Sequence, residues 1–215
     1  MLDVHPPDHS LHGWRDFLVH LATITIGLLI ALSLEGCVEW QHHRHLVHEA
    51  EASLRGEIQR NAAGLQETLD DVRKEQEVLQ QDVAVLKRII ANPKVPNKED
   101  MEINFHLKSF DDVSWKTAQS TGAFSYMPYE RAQEYSAIYG EQDEIVAAEQ
   151  QAVRDTVISV GPFLNSKKGD PNPSADEAVK IKDHIEILQG QLTFLESLVL
   201  GLDQNYKKFL AAPPE

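Results

Sequence analysis

The hydrophobic and polar positions of this 215-residue chain change period several times, and each change predicts an element. Residues 17–34 read FLVHLATITIGLLIALSL, an apolar run free of Lys, Arg, Asp and Glu. Beyond it the chain turns polar, and from Glu39 to Ala91 there is no proline. Within that stretch Ala62, Leu65, Leu69, Val72, Gln76, Leu79, Val83, Leu86 and Ile90 alternate in steps of 3 and 4, with Leu54 and Ile58 upstream. That spacing predicts a long amphipathic helix with one seam. Asn92-Pro93 ends it. Met101, Ile103, Phe105 and Leu107 then alternate with polar residues, the period of an extended segment. A short helix follows around Trp115 and Ala118, with Ser114 as its expected cap and Gly122 as its stop. Pro128-Tyr129 opens a further helix, in which Tyr135, Tyr139, Val146, Val153, Val157 and Val160 share a face. The strongest signal is the last. Ser174 and Glu177 form a capping box, and behind it come Ala178, Ile181, Ile185, Leu188, Leu192, Leu195, Val199, Leu202, Tyr206 and Phe209.

The expected fold class is therefore all-α: one N-terminal transmembrane helix, then a long-helix antiparallel bundle or coiled coil with a small extended segment. The predicted organisation is a short tail (1–16), a transmembrane helix (17–36), a long membrane-proximal helix (37–92) and a connector with a short helix (93–128). A second long helix (129–164), a polar loop (165–173) and a C-terminal helix (174–212) follow. Short connections favour an up-and-down order.

The apolar run would reach about 27 Å as a helix, close to the ~30 Å of a hydrocarbon core. Trp14 and Trp40 flank it, as interfacial aromatic rings do. The segment fits other fates less well. A cleaved signal peptide wants small residues after the run, and the chain offers Ser33-Leu34-Glu35-Gly36-Cys37. A lipoprotein signal accepts Leu34, Gly36 and Cys37 but not Glu35, so lipidation of Cys37 stays open. A cut after Gly13 would place Leu18, not Glu, fifth in the mature chain, which excludes the pilin pattern. Flanking Lys and Arg are nearly balanced. The expectation that the N-terminus is cytoplasmic and the bundle periplasmic rests on a short tail preceding a large domain. Thr23, Gly27 and Ala31 form a small-residue stripe on which two such helices could pack.

Charge narrows the function. Lys plus Arg total 20 against 34 Asp plus Glu, a formal net charge of −14. Residues 41–215 keep an excess of acid, with 19 basic and 29 acidic side chains. No basic face is available for nucleic acid, and anionic lipid would repel this portion. The single cysteine excludes an internal disulfide.

The chemistry on offer is sparse. His42, His45, His48 and Glu49 crowd one stretch, with His43 among them. Imidazoles one helical turn apart can hold Zn²⁺ or Cu²⁺; the plainer reading is a polar collar beside the membrane that gains charge at low pH. Trp115, Phe124, Tyr126, Tyr129, Tyr135 and Tyr139 could line a pocket or simply pack a bundle end. Acidic pairs such as Asp70-Asp71 read as solvated faces. No G-x-S-x-G, phosphate loop or G-x-G-x-x-G occurs, so no catalytic residue and no cofactor is expected.

Several segments carry a resemblance. Trp14-Arg15-Asp16-Phe17-Leu18, Ile24 to Leu32, Glu39-Trp40, Glu57-Ile58-Gln59-Arg60-Asn61 and Trp115 to Gly122 (W-x-x-A-x-x-[ST]-G) are similar to an uncharacterised bacterial family. Its members are single-pass membrane proteins with a G-[IL]-L-I-A-L motif. The similarity covers about residues 14–165, with Cys37 a departure from the pattern. It implies a membrane helix continuing into a helical region, and brings no activity or functional residue with it.

The sequence thus points to a non-catalytic, membrane-anchored helical protein of the bacterial inner membrane, serving interaction, scaffolding or sensing. Its partners would be the lipid bilayer, an unidentified protein and a second copy. The alternative is a small-molecule or metal sensor using the aromatic cluster or the histidines.

Overall fold

The computed structural model describes residues 13–94, 110–164 and 173–213, the side chains of 159–164 aside. The described residues are helical throughout. Helix α1 covers Trp14–Ala91, α2 Val113–Ser120, α3 Tyr129–Leu164 and α4 Ala175–Ala211, with a 3₁₀ turn at Ala123–Ser125 between α2 and α3. The extended segment expected at 101–107 and the loop at 165–172 lie outside the described residues. By packing the chain divides into two units, Met1–Glu49 and Ala50–Glu215. The expected boundary at 36/37 follows composition, whereas the packed unit begins at residue 50.

In the first unit the apolar run is exposed on every side. Phe17, Ile24, Leu28, Leu29 and Ile30 all face outward. By length and composition two helices could cross a membrane, α1 and α4. No residue of the apolar window of α1 is buried, against 33% of the window in α4. The α4 window is thus partly a core helix.

The second unit holds the core. All ten positions expected on α4 are buried. Its capping box forms: Ser174 Oγ accepts from the Glu177 amide at 3.3 Å, and the Ser174 amide donates to Glu177 Oε2 at 2.8 Å. These bonds satisfy amides that the first turn leaves free, and the amide and hydroxyl of Ser174 hold the Glu177 carboxyl below its ordinary range.

Helices α1 and α3 depart from the expected seams. On α1 the apolar seam is buried at Leu54, Ile58, Leu65, Leu69, Val72, Leu79, Val83 and Leu86. Ala62, Gln76 and Ile90 are only half-buried, and Ile89 takes the last core place. A further buried line runs at heptad spacing through Asn61, Thr68, Glu75 and Asp82. Periodicity counted on apolar residues alone misses it. On α3 the buried line is Tyr135, Ile138, Tyr139, Gln142, Ile145, Glu149 and Ala152. Val146 and Val153 lie at its edge, and Val157 is exposed. The valine spacing drifts off the face because Gln142 and Glu149 occupy core positions.

Side-chain links between helices fix their directions. Asn205 donates to Glu141 at 2.7 Å and Gln191 to Asp155, so α4 runs antiparallel to α3. Arg55 reaches Leu210 O at 2.6 Å and Arg73 reaches Glu196 at 2.7 Å, so α4 is antiparallel to the α1 portion as well. Glu51 with Arg131 and Glu57 with Tyr139 then place α1 and α3 in the same direction. This corrects the simple up-and-down order. Asn61 and Asp111 share two hydrogen bonds, so the chain re-enters beside the start of the bundled part of α1 after leaving it at Ala91.

Leu188 on α4 is fully buried. Truncating it to alanine removes core contacts and leaves a cavity, so Leu188→Ala should cost about 2–5 kcal/mol. Denaturant unfolding of the full chain followed by circular dichroism checks this.

Candidate functional site

The densest polar construction joins α1, α2 and α3 around Glu57. This residue is 1% exposed, and its carboxylate is fully engaged. Oε2 accepts the Ser114 amide at 2.7 Å, and Oε1 accepts the Trp115 amide at 3.3 Å and the Tyr139 hydroxyl at 2.6 Å. Ser114 and Trp115 lie in the first turn of α2, whose amides have no partners within the helix. Asp112 occupies the N-cap, but its side chain pairs with Lys116 at 2.6 Å and makes no capping bond, so the expected capping role of Ser114 is taken by a carboxylate from another helix. Negative charge at a helix N-terminus is favoured by the aligned peptide dipoles.

One turn along α1, Asn61 extends the clamp. Its Nδ2 donates to Asp111 O at 2.8 Å, and its Oδ1 accepts the Asp111 amide at 2.9 Å. The Tyr206 hydroxyl of α4 accepts from Gln142 of α3 at 2.8 Å and also bonds Asn61. One polar level therefore touches all three long helices.

Aromatic rings close the assembly. Trp115 stacks on Tyr139 with ring centroids 4.7 Å apart and an interplanar angle of 12°. Phe124 meets Trp115 edge-on at 4.9 Å. Tyr135 meets Phe209 edge-on at 5.3 Å, and the Arg131 guanidinium lies 5.4 Å from the Phe209 centroid. Gly122, at φ 74°, turns the chain from α2 into the 3₁₀ turn, a backbone state that favours glycine. Of the six expected aromatic residues, Trp115, Phe124, Tyr135 and Tyr139 pack together. Tyr126 and Tyr129 are exposed. The other four are linked ring to ring.

Burial shapes the titration here. It pushes the Tyr135 hydroxyl up to about 12. The Tyr139 hydroxyl is held well above the ordinary phenol range, first by burial and then by its bond to Glu57. Tyr206 is raised by burial too. The Tyr139 phenol thus stays protonated and donates to Glu57, while the Tyr206 hydroxyl accepts from Gln142.

The histidine stretch lies in the first unit. His45 Nε2 is 3.2 Å from Glu49 Oε1 and His43 Nε2 is 4.0 Å from Glu39, both one turn apart along α1. His42 and His48 are exposed on the same helix. Among the described residues no group of three or more His, Cys, Asp and Glu is placed to hold a metal ion. The Arg44 guanidinium lies 5.4 Å from the Trp40 ring. In the apolar run, Thr23 Oγ1 donates to Val19 O at 2.9 Å, and nothing comes within 4 Å of a Cβ built on Gly27. Thr23, Gly27 and Ala31 are all exposed, as is Cys37.

No protein-family profile, no curated protein and no solved structure matches this chain. What can be argued comes from its own geometry. The Glu57–Asn61 segment and the Trp115–Gly122 segment, far apart in sequence, are clamped together. The hydrogen-bonding residues missed by sequence reasoning are Tyr139, Gln142 and Tyr206 as partners, and Glu149 as a buried acid.

Two outcomes follow. Glu57→Ala strands two α2 amides and the Tyr139 hydroxyl, so it should cost about 3 kcal/mol or more, and Tyr139→Phe about 1 kcal/mol. Unfolding midpoints, with Trp115 fluorescence as a local probe, check the order. Second, burial raises the Glu149 carboxyl to about 7. A folded-state value above the unfolded one means stability that is complete below the ordinary Glu range and lost as pH rises through 7. Relative to Glu149→Gln, the wild type should therefore lose up to about 3 kcal/mol between pH 4 and pH 8. Urea midpoints of both proteins across that range measure the difference.

Proposed function

We propose that this chain is a membrane-anchored helical protein that works without catalysis, in protein interaction, scaffolding or sensing in the bacterial envelope. The observation that carries the reading is the uncharged run from Phe17 to Leu34, exposed on all sides in a chain whose other unit buries its own apolar seams. Exposed apolar surface of that extent is stable in lipid and not in water. The run serves as a single span with the N-terminus in the cytoplasm and the bundle in the periplasm. Kinship with the bacterial single-pass family that shares the G-[IL]-L-I-A-L and W-x-x-A-x-x-[ST]-G segments belongs to the same proposal. Its support is that the Trp115 segment packs against the Glu57 segment.

The interaction reading also draws on how the polar clamp is used. Glu57, Asn61, Tyr139 and Tyr206 spend their hydrogen bonds on backbone and on one another, which suits a rigid interaction platform.

Paired periplasmic and cytoplasmic reporters fused near Asn172 test the topology. The expected result is a periplasmic signal, with the protein extracted from membranes by detergent but not by high salt. Deleting residues 17–34 should release the remainder to the soluble fraction. A cytoplasmic signal would overturn the orientation, and a full-length chain that stays soluble would overturn the anchor.

A further inference from the structure

The surface of α4 turned away from the core carries a second pattern that the bundle does not use. Ile187, Gly190, Phe194, Ser197 and Gly201 follow one another at steps of 3 and 4, and all are exposed. Ile187 is 57% and Phe194 59% exposed, on a helix whose opposite face is fully packed. This outward line has no charge from Ile187 to Gly201. Asp183 bounds it on one side and Lys208 on the other, both exposed and both on the same repeat.

The glycines sharpen the question. Glycine inside a helix is destabilising relative to alanine. A Cβ built on Gly190 or Gly201 meets nothing within 4 Å, so no contact within the chain calls for their smallness. A close-packed surface from outside would. Large side chains alternating with gaps also suit a self-complementary contact, in which the Phe194 ring of one copy enters the space left by the small residues of the other.

We propose that this face of α4 is the contact between two copies of the chain, packed antiparallel about a two-fold axis level with the step from Leu195 to Glu196. Charge decides the direction. Asp183 and Lys208 are equally far from that centre, so an antiparallel copy sets Asp183 of each chain beside Lys208 of the other. A parallel copy would set Asp183 against Asp183 and Lys208 against Lys208, which is repulsive. The proposal goes beyond the membrane reading, since it names the partner as a second copy and uses no residue of the apolar run.

The test uses the full chain with Cys37→Ala, in detergent micelles and in lipid nanodiscs, with protein mass from light scattering. The parent is expected to be a dimer. Phe194→Asp should give monomers. Asp183→Lys and Lys208→Asp should each weaken the dimer several-fold, and the double swap should restore it. Gly190→Leu should weaken the dimer while holding or raising helix stability, an effect no purely structural role for Gly190 gives. Spin labels fix the direction. Labels at Ser197→Cys should be close neighbours across the dimer, whereas labels at Lys180→Cys should sit about 46 Å apart along the helix axis. Close pairs at both positions would overturn the antiparallel arrangement. A dimer indifferent to Phe194→Asp would overturn the face and move the contact elsewhere, with Thr23 and Gly27 the next positions to label. A monomeric parent would overturn the proposal outright. Each of these results leaves the topology reporters unaffected, so failure here and failure of the anchor remain distinguishable.

Discussion

The second unit depends on one buried carboxylate. Placing Glu57 in a core is costly unless every lone pair it turns inward finds a donor. The chain meets that demand with the first turn of α2 and the Tyr139 hydroxyl. Each partner has its own unmet need. The amides of α2 have no carbonyl to bond, and a buried phenol must donate somewhere. A single residue thereby settles three deficits, and in doing so it fixes where α2 lies. With α2 in place Trp115 can stack on Tyr139, and the chain reaches α3 through the left-handed turn at Gly122. Removing the carboxylate would strand all of these groups at once.

The polar core positions also explain how long helices find one register. A purely apolar seam such as that of α4 is nearly indifferent to sliding by a heptad. The links between helices are not. Tyr206 meets Gln142 and Asn61 at one level, Asn205 meets Glu141 beside it, and Arg73 and Gln76 converge on Glu196 further along. A slip of α4 by seven residues would leave the Gln142 amide buried without its Tyr206 partner. The apolar seam thus supplies most of the driving force, and the polar levels select one alignment. At the far end of α4, Arg55 donates to the carbonyls of Leu210 and Ala212 and lies 5.6 Å from the Phe209 ring. A helix C-terminus left with free carbonyls is closed by a cation from α1.

How much of this was legible depended on whether core positions were apolar. On α4 they all are, up to Tyr206, and every expected core residue is buried, capping box included. On α3 the core alternates with Gln142 and Glu149, and the eye follows the valines off the face instead. On α1 the line through Asn61, Thr68, Glu75 and Asp82 is invisible to any count of apolar residues. The clamp was half legible. Glu57, Asn61, Trp115, Ala118 and Gly122 are readable as two short motifs, but nothing in their spacing says that the two segments meet. That contact is tertiary, and the direction of α3 relative to α1 is tertiary too. The histidine cluster shows the opposite case. Its spacing was plain in the sequence, yet along α1 its side chains pair with Glu39 and Glu49 rather than converge on one point.

The two units differ in what they bury, and that contrast limits what the protein can offer a partner. In the second unit the best apolar seams are consumed internally, Glu57 and Tyr139 bond each other, and the Trp115 and Tyr139 rings stack. What remains outside is mostly charged, with a strong excess of acid over residues 41–215. A partner cannot be held by generic hydrophobic adhesion over such a surface, since the charges would have to be desolvated without compensation. Recognition must fall on the places where charge lapses. Among the described residues of the second unit, the outward line of α4 is one such place, on a helix whose own core face is complete. In the first unit it is the apolar run itself, exposed on all sides. Against that exposed uncharged surface, the polar groups of the second unit hold a fixed shape: Glu57 sets the place of α2, and Gln142, Asn205 and Arg73 set the register of α4.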